Sequence, residues 1–304
     1  MTIKKWLCEN TKSLKNKKIA ITGSTGGLGA PLCDYLASLG AHLVLVDRNE
    51  KRSEENKARI LKKYPSVQVE CVTADLEDIF SVERATRRLA AMDIDILIHN
   101  AGAYSIERKI CNSGYENIFQ INFASPYYMT KVLLPELSKR NGRVVAVGSI
   151  AHNYSKTDGR DIDFRTRKAA SKVYGNAKRY LMFSLYELFS GERGASLSVV
   201  HPGITFTNIT NHYPKLIFAI IKHPMKVVFM KPKKAALSIL SGVFESTERC
   251  EWIGPRSFDV WGCPKKKKLY TCTEREISEI TERAEEVYAC MLRVLKEKKA
   301  ENKE

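Results

Sequence analysis

KKIAITGSTGGLGAPLCDYLASLG, residues 17 to 40, is the stretch whose reading decides the fold. Its first part is a short apolar, β-branched run that ends in glycine. Its last part carries apolar residues at helical spacing, so the whole reads as strand, glycine turn, helix. The glycines of the turn, TGSTGGLG from Thr22 to Gly29, include those at 23, 27 and 29. A helix N-terminus carries unpaired N–H groups and a partial positive charge, and glycines there let a pyrophosphate approach the backbone. Alone, such a turn is a weak signal. Here the next strand, AHLVLVDRN, ends in Asp47, close to the usual spacing of ~20 residues for an acid that meets a ribose.

Outward from that unit the alternation continues. A charged helix from about Glu50 to Lys63 precedes the strand VQVECVTADL, with Asp75 just past its end. Asp75 is placed to meet an adenine amino group or, equally, to cap the next helix. Helix 79–91, strand IDILIHNAG, helix 115–137, strand GRVVAVGS, a long helix and strand ASLSVVHPG follow. Six βα repeats predict a parallel, doubly wound α/β sheet of about seven strands, with ligands at the carboxyl ends of the strands. The rhythm changes after Gly203. Residues 204–232 are apolar and basic with three prolines, and read as a helical flap over the site. A helix from about Lys233 to Phe244 and a strand near Trp252 to Val260 close the domain, expected over 17–262. A basic lead (1–16) precedes it; a charged linker, CPKKKKLY, and a terminal helix from Glu274 to Lys299 make up 263–304.

At 304 residues and 44% hydrophobic content the chain can fill a sizeable core. The formal charge of +16, 50 Lys and Arg against 34 Asp and Glu, is spread along the chain. No zinc-finger, RNP or basic-zipper pattern accompanies it, so a solvated basic surface that attracts anionic cofactors is expected, and not nucleic-acid binding. The eight cysteines form no CxxC pair and no metal spacing. No metal is expected, and a reducing, cytoplasmic compartment follows, since the N-terminus lacks the apolar core of a signal peptide. No apolar run reaches the ~18 residues needed to span a bilayer; KHPMK interrupts LIFAII (216–221) and VVFM (227–230).

YGNAK, Tyr174 to Lys178, puts a phenol and an ammonium on one helical face. Tyrosine titrates near ~10, and a fixed neighbouring cation favours the phenolate. The spacing predicts a lowered tyrosine value and an acid/base device, although most such pairs are surface or packing residues.

Taken in order, TGSTGGLG, ADL with Asp75, HNAG (99–102), Asn122, GSIAH with Ser149, YGNAK and HPG (201–203) resemble the short-chain dehydrogenase/reductases over about residues 17–260. The interval between Ser149 and Tyr174, with AHNYSKTDGRDIDF, is most similar to the retinol-dehydrogenase-like branch. The resemblance implies a Rossmann-type fold and an NAD(P)-dependent oxidoreductase. In it Tyr174 exchanges a proton with the substrate oxygen and Ser149 holds that oxygen. Lys178 lowers the tyrosine pKa and binds the nicotinamide ribose, and Asn122 fixes a water linking Lys178 to solvent. The cofactor contacts it implies are Gly23, Ser24, Thr25, Gly27, Leu28, Gly29, Asp47, Arg48, Asp75, Leu76, Asn100, Ala101, Gly102, Tyr174, Lys178, Pro202, Gly203, Thr205 and Thr207.

An acid facing the ribose repels a 2'-phosphate, so Asp47 favours NAD(H), while Arg48 keeps NADP(H) open. Two departures stand out: His99 where the family often has Asn, and Ala177 before the lysine. His152 and His201 read as structural polar residues. The apolar segment 213–230 points to a lipophilic alcohol or carbonyl substrate of steroid, retinoid or long-chain type. The competing readings are a small polar carbonyl, with 213–230 docking a partner subunit or a membrane, and a dinucleotide-binding regulator without turnover. Family members commonly form dimers or tetramers, which makes a homo-oligomer a further expectation.

Overall fold

The strand at residues 18–22 sits in the middle of the sheet, and the order of the others around it creates the cleft used below. The computed structural model describes residues 1–205 and 229–301. Its strands are β1 (Lys18–Thr22), β2 (His42–Asp47), β3 (Val69–Thr73), β4 (Ile96–His99), β5 (Arg143–Val147), β6 (Ser196–Val200), β7 (Glu251–Ser257) and β8 (Trp261–Lys268). They form one sheet in the order β3-β2-β1-β4-β5-β6-β7-β8, parallel except for β8. Chain direction across the sheet reverses between β1 and β4, and a crevice opens above their carboxyl ends.

The helices are α1 (Ile3–Asn10), α2 (Gly29–Ser38), α3 (Glu50–Lys63), α4 (Ile79–Ala90), α5 (Asn117–Phe119), α6 (Ser125–Lys139), α7 (Ala170–Ser190), α8 (Pro232–Phe244) and α9 (Glu274–Glu301). Strand side chains alternate between two cores, as a sheet covered on both faces requires. Ala20, Val44, Val46, Val144 and Ala146 face α4, α6, α7 and α9. Ile19, Ile21, Leu43, Leu45, Val145 and Val147 face α2, α3 and α8.

Two segments differ from expectation, and a third, the terminal helix, is found where it was expected. The lysine run that reads as a linker is strand β8, antiparallel to β7, pairing Glu251 with Lys268 and Gly254 with Lys265. Lysines are poor strand formers but suit an outer strand, whose free edge they protect from pairing with another chain. The basic lead contains α1, whose Trp6 is buried in the second core. The terminal helix is packed: Ile277, Ile280, Ala284, Val287 and Met291 form a buried stripe at spacings of three and four. Among the described residues, no helix is long and apolar enough to cross a membrane. Most of segment 213–230 lies outside the described residues.

Candidate active site

The glycine turn is shaped by close contacts. Gly23 has φ +70°, and a Cβ on Gly29 would stand 2.1 Å from the Gly23 carbonyl oxygen, so α2 starts hard against the end of β1. The loop after β4 is laced to this turn. Thr22 Oγ1 accepts from the backbone N–H groups of Asn100 (3.1 Å) and Ala101 (3.0 Å), and Asn100 Nδ2 donates to the carbonyls of Thr22 and Gly23, both at 3.0 Å.

Asp47 ends β2 almost fully buried. Its Oδ2 accepts from Ser24 Oγ (2.5 Å) and Ser53 Oγ (3.0 Å), and its Oδ1 from Thr25 N (3.2 Å) and Thr25 Oγ1 (3.3 Å). A carboxylate has about four acceptor positions, so the turn and α3 fill them. Arg48 and Arg52 stand at the same mouth; Arg48 is exposed, with Glu77 at 3.9 Å, and Arg52 donates to the Thr25 carbonyl at 3.3 Å. Asp75 accepts from Glu77 N at 3.0 Å, and the cap of α4 is Asp78, so of its two readings the cap falls to the neighbour.

Ser149 leaves β5 as the cap of a 3-10 turn, Ile150–Asn153, and its Oγ accepts from Ala151 N at 3.2 Å. Helix α7 presses against this turn. A Cβ on Gly175 would stand 2.2 Å from the Ala151 carbonyl oxygen, so the residue after Tyr174 must be glycine for the phenol to approach Ser149. The Tyr174 ring packs edge-on against Tyr104 at 5.4 Å. Lys178 lies 5.7 Å from the tyrosine ring centre and donates to the Val147 carbonyl at 2.8 Å.

Asn122 occupies a π turn, Gln120–Ala124, between α5 and α6. Its Nδ2 donates to the carbonyls of Ala103 and Ile118, both at 2.8 Å, and its buried Oδ1 has no partner. That oxygen and Lys178 Nζ lie 2.8 and 3.8 Å from the point where a Gly102 side chain would begin. A buried acceptor beside a lysine, with glycine leaving the space between them, is a slot for a small polar partner.

The electrostatics correct one expectation. Burial pushes the Tyr174 phenol up to about 12, with Tyr104 and Tyr154 adding to the rise and the Ser149 hydroxyl opposing it. Burial pulls Lys178 down to about 7. Desolvation acts on both members of the pair and outweighs the attraction that spacing alone suggests. The Tyr174 phenol is therefore neutral at physiological pH.

A cavity of about 580 Å³ joins these parts. Of the expected residues, Gly23, Thr25, Gly27, Leu28, Asp47, Arg48, Asp75, Leu76, Asn100, Ala101, Gly102, Ser149, Tyr174, Lys178, Pro202, Gly203 and Thr205 line it. Ser24, Gly29 and Asn122 support the lining from behind, and Thr207 lies outside the described residues. Sequence reasoning passed over Arg52, and over Tyr104, Ile150 and Tyr154 at the far end, where Ile204 and Phe229 come from the expected flap. Position was their only signal, since Tyr104 follows HNAG and Ile150 and Tyr154 follow Ser149.

The model of the short chain dehydrogenase family matches residues 17–215. The chain is a short-chain dehydrogenase. It is similar to the chloroplastic short-chain dehydrogenase TIC 32 A of Brassica napus, 30% identical over 213 residues, 65% of this chain and 67% of the relative. Among solved structures, an uncharacterized protein from Mycobacterium paratuberculosis superposes with a TM-score of 0.72 at 23% identity, covering 96% and 97% of the two chains. A protein from Beutenbergia cavernae described as an NAD(P)-dependent gluconate 5-dehydrogenase, with NADP bound at low occupancy, superposes at 0.59 and 18% identity over 76% and 91%. The short-chain dehydrogenase is thus an NAD(P)-binding oxidoreductase acting on small molecules, and its glycine-floored cavity and the orphaned Asn100 and Asn122 oxygens fit such a cofactor.

Among the described residues of the short-chain dehydrogenase, the buried His99 and His201 are held by structural contacts and stay uncharged. His99 Nε2 meets Thr130 Oγ1 at 2.8 Å and ties β4 to α6; burial, with Lys178 adding to it, lowers its pKa to about 3. His201 stacks on Trp252 at 4.8 Å, and burial takes it to about 3.

Proposed function

We propose that this oxidoreductase interconverts an alcohol and a carbonyl on a lipophilic substrate, using NAD(P)(H). One observation carries the reading: a neutral Tyr174 phenol, within hydrogen-bonding reach of Ser149, stands on a cavity that also takes in the glycine turn. The bound cofactor supplies or accepts the hydride. In reduction the Tyr174 O–H donates its proton to the substrate oxygen, which Ser149 Oγ holds in line. Lys178 Nζ, leaving its Val147 carbonyl bond, stabilises the phenolate left behind. A proton returns through the slot between Lys178 and Asn122 Oδ1. Oxidation runs the same transfers backwards.

Tyr104, Ile150, Tyr154, Ile204 and Phe229 make the substrate end mainly apolar and aromatic. This favours steroid-, retinoid- or long-chain-type compounds over small polar carbonyls, in keeping with a retinol-dehydrogenase-like branch. At the other end the sequence favours NAD(H) because of Asp47. With its four acceptor positions filled, Asp47 has little left for ribose hydroxyls, and Arg48 and Arg52 suit a 2'-phosphate, so our reading is NADP(H). A reducing compartment agrees with eight free thiols. The test is a screen of ketones and alcohols of graded polarity with each cofactor. Turnover restricted to small polar carbonyls, or none with any carbonyl or alcohol, contradicts the reading.

A further inference from the structure

The turn that carries Ser149 is held from the far end of the chain. His152, wholly buried, sets its Nδ1 2.6 Å from the carbonyl oxygen of Ser149 and its Nε2 2.8 Å from Thr271 Oγ1. A carbonyl only accepts, so Nδ1 carries the hydrogen. Burial holds the ring neutral, its pKa down at about 4. Nε2 is then an acceptor for the Thr271 hydroxyl.

Arg179, next to Lys178 and 3% exposed, completes the tie. Its guanidinium donates to the carbonyls of His152 (3.0 Å) and Thr271 (2.7 Å) and to Glu276 Oε1 (3.1 Å). Glu276 is fixed in turn: Thr273 N donates to its Oε2 at 3.1 Å, and its own N–H donates to Thr273 Oγ1 at 3.3 Å, closing a capping box at the start of α9.

Ser149 is thus gripped on both sides of its Cα, by Ala151 N at the hydroxyl and, at the carbonyl, by the imidazole at 2.6 Å and the backbone N–H of His152 at 3.1 Å. Together these set the direction of the hydroxyl that faces Tyr174. We propose that His152 is a positioning residue for Ser149 and that Arg179, Thr271 and Glu276 hold it there. Segment 271–276, beyond the residues matched by the family model, then completes the catalytic geometry. This rests on the oxidoreductase reading above.

The test uses the full chain as wild type, His152→Ala, His152→Asn and Thr271→Val. It measures kcat and KM with the best carbonyl, NADPH affinity by fluorescence titration, and hydrogen exchange of residues 149–154. A displaced serine lowers kcat by about 10²-fold in His152→Ala while NADPH affinity stays within about twofold. His152→Asn, whose amide N–H takes the place of Nδ1–H, recovers most of the loss. Thr271→Val lowers kcat about fivefold and speeds exchange at 149–154. A kcat for His152→Ala within about twofold of wild type overturns the proposal. So does a loss that His152→Asn fails to recover while Thr271→Val is silent, since packing then explains it. Should wild type turn over no carbonyl, the oxidoreductase reading fails by itself. Exchange in Thr271→Val then decides the coupling, faster exchange supporting it and unchanged exchange overturning it.

Discussion

Replacing Lys178 with methionine should stabilise the protein while destroying its activity. The ammonium is almost fully buried, and its pKa falls from 10.5 to about 7. An unfolded lysine titrates near ~10.4, so between the two values the unfolded chain binds the extra proton. Stability from this group therefore rises with pH through that window and is lowest below about pH 7. At about 1.4 kcal/mol per pH unit, the penalty near neutrality is about 4 kcal/mol. Methionine removes it but leaves the Val147 carbonyl without its donor, which takes back about 1 kcal/mol. Lys178→Met should gain about 3 kcal/mol near pH 7, seen in urea unfolding followed by tryptophan fluorescence, and the gain should shrink steadily toward pH 10. A gap that stays constant with pH, or a wild type more stable than the variant at pH 7, refutes the reasoning.

Two further outcomes follow from the same geometry. Gly175→Ala drives a Cβ to 2.2 Å from the Ala151 carbonyl oxygen. It should cost about 1–3 kcal/mol in thermal unfolding and lower kcat more than it alters cofactor affinity. Removing Arg48 and Arg52 together, as alanines, should weaken NADPH binding about tenfold or more and leave NADH binding nearly unchanged, measured by paired titrations at low and high salt. Equal losses for both cofactors would instead return the adenosine end to the NAD(H) reading.

Much of the fold was legible because its signals are local. Unbroken apolar runs in Leu43–Val46 and Val144–Val147 mark strands covered on both sides, and Gly23, Gly27 and Gly29 mark the turn. The motif residues reached one cavity because each lies past the end of a parallel strand or, like Tyr174 and Lys178, on a following helix that packs over those ends. What stayed hidden depends on distant partners. Lys265–Lys268 becomes a strand only through pairing with β7. Asp47 is saturated partly by Ser53 in the following helix, so its identity alone overstated its interest in a ribose. The direction of the Tyr174 shift depends on burial depth, which the spacing of YGNAK does not carry. His152 and Thr271 are 119 residues apart, and nothing local joins them.

The most direct measurement follows cofactor oxidation with a panel of apolar ketones in wild type and Tyr174→Phe, with NADPH affinity determined in parallel. The phenylalanine variant should bind NADPH as wild type does and lose about 10²- to 10⁴-fold in turnover, because only the proton donor has gone. Full turnover in Tyr174→Phe would contradict a mechanism in which this phenol donates the proton.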